Sequence, residues 1–299
     1  MPTERSERAR TEPRVDVRKT YKLYIGGAFP RSESGRSYPV TDARGRFLAN
    51  ASLASRKDAR DAVQAAGKAF GGWSGRTAYN RGQILYRIAE LLEGRREQFV
   101  GEVAAGEGVT RPRADAVVSA AIDRWVWYAG WADKLAQVLG SSNQVAGPYF
   151  DFSVPEPTGA VAVVAPQRSS LLGLVSVVAP VIVSGNTCVV LAAEERPLPG
   201  VTLTEVLATS DLPGGVVNLL TGRVTEVAPW LASHMDVKAV DLTGVEDAAL
   251  AAELERAAAD NLKRVLPPPS VRVDWTRDPG VNRLRAFLET KTVWHPVGV

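Results

Sequence analysis

The sequence predicts an α/β protein built on a doubly wound parallel sheet, and two observations carry that prediction. Beyond Gly159, four short and almost wholly apolar runs, at 160–165, 187–191, 215–220 and 237–242, are separated by stretches of helical character. Strands buried on both faces read this way, whereas half-exposed strands alternate apolar with polar side chains. Ahead of them, from 55 to about 139, apolar residues recur at helical spacing, which sets a helical segment in front of the sheet.

The chain has 299 residues, 45% of them hydrophobic, enough for one large or two modest domains. Residues 1–22 hold Arg5, Arg8, Arg10, Arg14, Arg18, Lys19 and Lys22 against Glu4, Glu7, Glu12 and Asp16, so the formal charge of +3 lies wholly in this stretch. Residues 1–20 read as a solvated, disordered tail, and the balanced remainder offers no basic face to nucleic acid. The tail has no apolar core of a secretory signal. The longest apolar run, 171–183, falls short of the ~20 residues that span a bilayer, so no membrane association and a soluble cytoplasmic protein are expected. A single cysteine excludes an internal disulfide, and His234 and His295 stand far apart with no neighbouring ligands, so no metal site is expected.

Ala59, Val63, Ala66 and Phe70, then Ile84, Leu85, Ile88, Leu91 and Leu92, predict two amphipathic helices between 55 and about 108. Val117, Ala121, Trp125, Tyr128 and Ala132 form one stripe of a third helix from about 112 to 139, with the aromatics used in packing. Tyr149-Phe150-Asp151-Phe152-Ser153-Val154, between Pro148 and Pro155, alternates as a half-exposed strand does. Thr243 followed three residues later by Glu246 reads as a capping box opening an Ala-rich helix to about 263, which Pro267-Pro268-Pro269 stops. The remainder predicts a short strand at 271–274, a short helix at about 279–288 and a terminal strand at 290–294. No repeat of roughly 20 to 50 residues is present.

For chemistry, the residues offer little. Cys188 sits in the apolar run Thr187-Cys188-Val189-Val190-Leu191, where a side chain packs into a sheet, while a nucleophilic thiolate must be exposed and activated. Ser169 and Ser170 are better placed as the N-cap of a helix starting near Leu171 than as nucleophiles. His234 falls in a helix-to-strand loop. Glu194-Glu195 and Glu246-Asp247 begin surface helices, where carboxylates complement the dipole. No Walker-type phosphate loop occurs.

Several motifs nonetheless stand in a recognisable register. Tyr24-Ile25-Gly26-Gly27, Trp73, Tyr128-Ala129-Gly130-Trp131-Ala132, Glu156-Pro157-Thr158-Gly159-Ala160-Val161, Gly185-Asn186-Thr187, Leu212-Pro213-Gly214-Gly215-Val216-Val217-Asn218 and Leu242-Thr243-Gly244 resemble, in order and spacing, the aldehyde dehydrogenase superfamily over about residues 20–265. The resemblance implies that family's Rossmann-like cofactor domain at 158–269, a helical lead-in at 21–147, an oligomerisation strand at 148–157, and a segment at 270–299 returning to a small oligomerisation β-arm. It also implies cofactor contacts: Pro166, Thr243 and Gly244 fall at family positions around the dinucleotide, and Glu195 falls at a ribose-binding glutamate.

The departures matter as much. After Ala165-Pro166 the family has Trp and an Asn whose amide helps hold the oxyanion; here stand Gln167 and Arg168, and such a donor is worth ~2.7 to 4 kcal/mol of transition-state stabilisation. The ribose-contacting Lys is Ala192, the small polar residue facing the pyrophosphate is Val245, and Glu246 would repel a phosphate. Where the family carries its general-base Glu in a Glu-Leu-Gly-Gly-Lys motif, this chain reads Leu266-Pro267-Pro268-Pro269. The family's catalytic domain is therefore expected to be absent, and no catalytic residue is assigned. Thr290-Lys291-Thr292-Val293-Trp294-His295-Pro296 is similar to the family's terminal strand, which pairs with the stretch at 149–154. The whole resembles the non-catalytic half of two-domain aldehyde dehydrogenases, often called family sixteen. It implies an assembly or regulatory subunit that uses the β-arm to join a catalytic aldehyde dehydrogenase or its own copy. No cofactor is expected, or NAD or NADP if the crevice is open. Two alternatives stand beside this: an NAD(P)-dependent aldehyde oxidoreductase using Cys188, and a nucleotide-sensing regulator, favoured by Glu195 and Gly244 and opposed by Ala192, Val245 and Glu246.

Overall fold

The computed structural model describes residues 19–298; most of the predicted tail lies outside the described residues. The chain opens on a small sheet of β1 (Thr20–Tyr21), β2 (Ser37–Thr41) and β3 (Phe47–Ser52), in the order β1-β3-β2. The turn between β1 and β2 needs two glycines, because Gly27 adopts φ +87° and a Cβ there would lie 2.9 Å from the Cα of Gly214.

Helices follow: α1 (Arg56–Ser74), α2 (Ala78–Gly94), α3 (Arg96–Glu107), α4 (Arg111–Ala129) and α5 (Leu135–Leu139). The expectation of two helices up to residue 108 is corrected to three, since the chain turns at Arg95 and starts a new helix without Pro or an N-capping side chain. The single helix expected to 139 is likewise divided, because α4 ends at Gly130 and α5 forms only after a turn. The predicted stripe holds: Ala121, Trp125, Tyr128 and Ala132 are buried, and Val117 is half-buried against the same core.

Next come β4 (Ser141–Asn143), β5 (Tyr149–Pro157), β6 (Ala160–Val164), α6 (Leu172–Val183), β7 (Thr187–Leu191), α7 (Leu198–Leu207), β8 (Val217–Leu220), α8 (Val224–Ser233), β9 (Val237–Asp241), α9 (Ala248–Ala259), β10 (Arg264–Leu266), α10 (Asn282–Arg285) and β11 (Leu288–Pro296). The central sheet is parallel throughout, in the order β10-β9-β6-β7-β8. Every side chain of β6, β7 and β8 is buried, as the apolar runs predict. One face of the sheet carries Val161, Val163, Cys188 and Val190 against a core shared with α2, α3, α4, α6 and α7. The other carries Ala160, Ala162, Val189 and Leu191 against α1, α8 and α9.

Motif residues that suggested a family do structural work here. Asn186 accepts from Gly159 N–H at 2.8 Å and donates to the carbonyl of Phe287 at 2.8 Å, tying the C-terminal segment to the sheet. Asn218 accepts from Gly26 N–H at 2.8 Å and donates to the carbonyls of Gly215 and Cys188. Trp73 donates its indole N–H to the carbonyl of Ile182 at 2.9 Å.

The last fifth of the chain needs more correction. The Ala-rich helix ends at Ala259, Leu262 takes φ +56°, and a short strand, β10, forms before the prolines, which therefore stop a strand and not a helix. Residues 271–274 form no strand; the predicted helix is the short α10. The terminal strand forms as expected and runs from 288 to 296. It pairs antiparallel with β5, Lys291 opposite Val154 and Trp294 opposite Asp151, in an outlying sheet β11-β5-β4. Among the described residues, no helix is long and apolar enough to cross a membrane.

Candidate functional site

In a doubly wound sheet, ligands sit outside the carboxyl ends of the strands, at the point where strand order reverses. Here that point lies between β6 and β9, because the crossovers from β6 run outward through β7 and β8 before the chain returns to β9 beside β6. Both strand ends open onto a cleft of about 1130 Å³ whose floor includes Pro166, Thr243 and Gly244 and whose outer wall is the stretch 267–276. The sheet thus brings together three of the four residues that sequence reasoning singled out. The fourth, Glu195, is exposed on the loop before α7 and does not line the cleft.

The polar groups at the strand ends are engaged with one another. Gln167 folds back, donating to the carbonyl of Ala165 at 2.7 Å and accepting from Glu194 N–H at 2.9 Å. Arg168 spans the crevice to Glu246, Nε to Oε1 at 2.9 Å. That pair is largely solvated, so it contributes little to stability, yet it shows where the guanidinium rests. The expected Thr243–Glu246 capping box is corrected: α9 is capped by Asp247, whose carboxylate accepts from the N–H groups of Ala249 (2.8 Å) and Leu250 (3.4 Å). Thr243 instead donates both N–H and O–H to Asp241. Asp241 is fully buried, and Arg283 of α10 reaches back to hold its other oxygen at 2.9 Å and the Thr243 hydroxyl at 2.8 Å.

The start of α8 is filled in the same way. Glu194 sits over α8, accepting from Val224 N–H at 3.1 Å and from Arg223, while its carbonyl accepts from the Tyr38 hydroxyl. It was expected to begin its own helix, but α7 starts at Leu198 behind Pro197 and has no side-chain cap. The serine cap expected at α6 is corrected: the N-cap position falls on Leu171 with no capping side chain, and Ser169 Oγ reaches from the turn before it to accept from Gly173 N–H at 2.9 Å. Ser170 does not cap; its N–H and O–H both donate to Glu107 at 2.8 Å. Sequence reasoning missed Glu107, Asp241 and Arg283: the Glu107–Ser170 and Asp241–Arg283 contacts join residues 63 and 42 apart in sequence and leave no local signal.

Cys188 is fully buried in β7, and burial pushes its thiol well above the ordinary value, since desolvation disfavours the thiolate. The native protein is expected to leave a thiol reagent such as Ellman's unconsumed, with one equivalent reacting after unfolding in guanidinium. Fast labelling of the folded chain would show that the sheet admits solvent there.

The parallel order, the switch-point cleft and the outlying antiparallel arm together define a Rossmann-like α/β domain of the dehydrogenase type. Comparison with known proteins makes the class specific. Residues 29–267 match the aldehyde dehydrogenase family, and the chain belongs to it. It is 32% identical to human retinal dehydrogenase 2 over 258 residues, covering 85% of this chain and 49% of that protein. Its fold is similar to that of HpcC from Thermus thermophilus (TM-score 0.76, 30% identity, 83% of this chain and 47% of that one). It is similar too to the NAD+ complex of an aldehyde dehydrogenase from Bacillus cereus (TM-score 0.77, 26% identity, 83% and 50%). The chain thus spans about half the length of these relatives.

Proposed function

We propose that this chain is a non-catalytic aldehyde dehydrogenase-family subunit that works by assembly through its β-arm, joining a catalytic aldehyde dehydrogenase or its own copy. The observation that carries this reading is the arm itself. Residues directly opposite one another share a face of a sheet, so Phe150 and Phe152 point to one side while Tyr149 and Trp294 point to the other. Phe150 and Phe152 stack at 5.4 Å, Tyr149 and Trp294 meet edge-on at 5.7 Å, and Tyr149, Phe150 and Trp294 are all exposed. Aromatics left in water on both faces of a projecting sheet suit an element gripped by a partner. The buried thiol supports the non-catalytic part of the reading.

Sedimentation velocity of the purified chain, alone and after co-expression with a full-length aldehyde dehydrogenase, tests this. Association at micromolar concentration is expected in at least one arm. Phe150→Asp with Trp294→Asp should weaken it by about thirtyfold or more, the size of a hot-spot loss, with an unchanged circular dichroism spectrum. A wild-type chain that remains monomeric in both arms removes the proposal.

NAD(P)-dependent aldehyde oxidation is a second reading, supported by the relatives, which are named as dehydrogenases. It requires aldehyde-dependent NADH formation that disappears in Cys188→Ala.

A further inference from the structure

The helix starts around the crevice share one property. At α8, at α9 and in the turn before α6, a carboxylate of the chain already holds N–H groups that a bound phosphate could use. Helix N-termini attract anions because their first N–H groups lack partners and carry the positive end of the dipole. At α9 those groups belong to Asp247, at α8 to Glu194, and in the turn entering α6 the N–H and O–H of Ser170 belong to Glu107. The Thr243 hydroxyl is held between Asp241 and Arg283. Val245, next in line, is almost fully buried at the edge of the cleft and offers a phosphate an apolar side chain with no donor.

The charge balance around the cleft points the same way. Its lining holds Glu107, Glu246, Glu255 and Asp274 against Arg113, Arg168 and Arg272, and Arg168 is committed to Glu246. A pyrophosphate would enter a site with more acid than base, with Glu107 holding the turn before α6 and Asp247 capping α9 beside the cleft-lining Glu246.

We infer that the crevice is a self-filled anion seat: the chain's own carboxylates stand in for a dinucleotide's phosphates, and neither NAD+ nor NADP+ binds there. The residues present do not fit the cofactor that the family fold implies. This conclusion is independent of assembly, since an arm can pair whether or not the crevice is open.

The test is calorimetric titration of the full-length chain with NAD+, NADP+ and ADP, with saturation-transfer NMR as a second readout. No saturable binding is expected up to about 1 mM of any of the three. Saturable binding of NAD+ in the micromolar range, competed by ADP, would overturn the inference. A variant carrying Glu246→Ser and Asp247→Ser tests the cause. With its melting transition intact, it should show saturable ADP binding with a Kd of about 0.1 mM or lower, at least about tenfold below the limit set by the parent, the scale of charge effects at a helix terminus. An ADP affinity unchanged in the folded variant would exclude the carboxylates as the reason. If the variant does not fold, the wild-type titrations still decide whether the seat is closed.

Discussion

Arg283→Ala is expected to lower the free energy of unfolding by about 3–5 kcal/mol, the range found when one partner of a buried ion pair is removed. The size follows from what is left behind. Asp241 has no exposed surface, Arg283 is largely covered, and the bond between them is 2.9 Å long. Without the guanidinium, a carboxylate remains at the end of β9 with only the N–H and O–H of Thr243 to hold it. The pair need not be a net source of stability, because taking both charges out of water offsets much of their attraction. A double substitution separates the two effects: Asp241→Asn added to Arg283→Ala removes the stranded charge, so the double variant should be less destabilised than the sum of the single ones. Urea unfolding followed by tryptophan fluorescence gives all four free energies. Additive losses would mean that Arg283 acts through packing on Trp275, whose ring lies 5.3 Å from the guanidinium, and not through Asp241.

Arg283 also shows where sequence reasoning runs out. The four central strands were legible because their cause is local: a run such as Ala160-Val161-Ala162-Val163-Val164 suits burial on both faces whatever surrounds it. The pairing of the two ends of the arm was legible because the motifs stood in family register. What could not be read was decided by distant partners. Thr243 and Glu246 have the spacing of a capping box, but Asp241 and Arg283 bind the hydroxyl first and Arg168 binds the carboxylate, leaving Asp247 to cap. Val271-Arg272-Val273-Asp274 alternates like a strand, yet the segment runs along the outer wall of the cleft and pairs with neither the free edge of β10 nor any other described strand, and without a ladder it stays irregular. The division into α2 and α3 at Arg95 leaves no Pro and no capping side chain to announce it. As for the candidate site, its floor of Pro166, Thr243 and Gly244 was legible, while Glu107 left no signal and Glu194 and Asp247 were visible only as acids at the starts of surface helices.

Gly244→Ala is expected to destabilise the fold by about 3 kcal/mol, the upper end of overpacking costs, because the atoms it would strike are backbone. A Cβ at this position would lie 1.9 Å from the carbonyl oxygen of Ala165, 2.5 Å from its carbon and 2.8 Å from the carbonyl oxygen of Val164. The reason is topological. After β9 the chain turns across the end of β6, and Gly244 donates its N–H to Val164 at 3.0 Å, so the two backbones meet without room for a methyl group. A flexible side chain could swing aside, but these carbonyls are fixed by the parallel pairing of β6 with β7 and β9. Gly101→Ala in α3, where a Cβ would meet nothing within 4 Å, is the control and should be neutral or stabilising by about 0.5–1 kcal/mol. The contrast bears on function, because a glycine at a nucleotide crevice can be needed for a ligand's approach or for the chain's own packing. A large loss of stability for Gly244→Ala in the absence of any nucleotide assigns it to packing. A melting transition equal to the parent's would mean that the strand ends can part, and that the space beside Ala165 is available to something other than the chain.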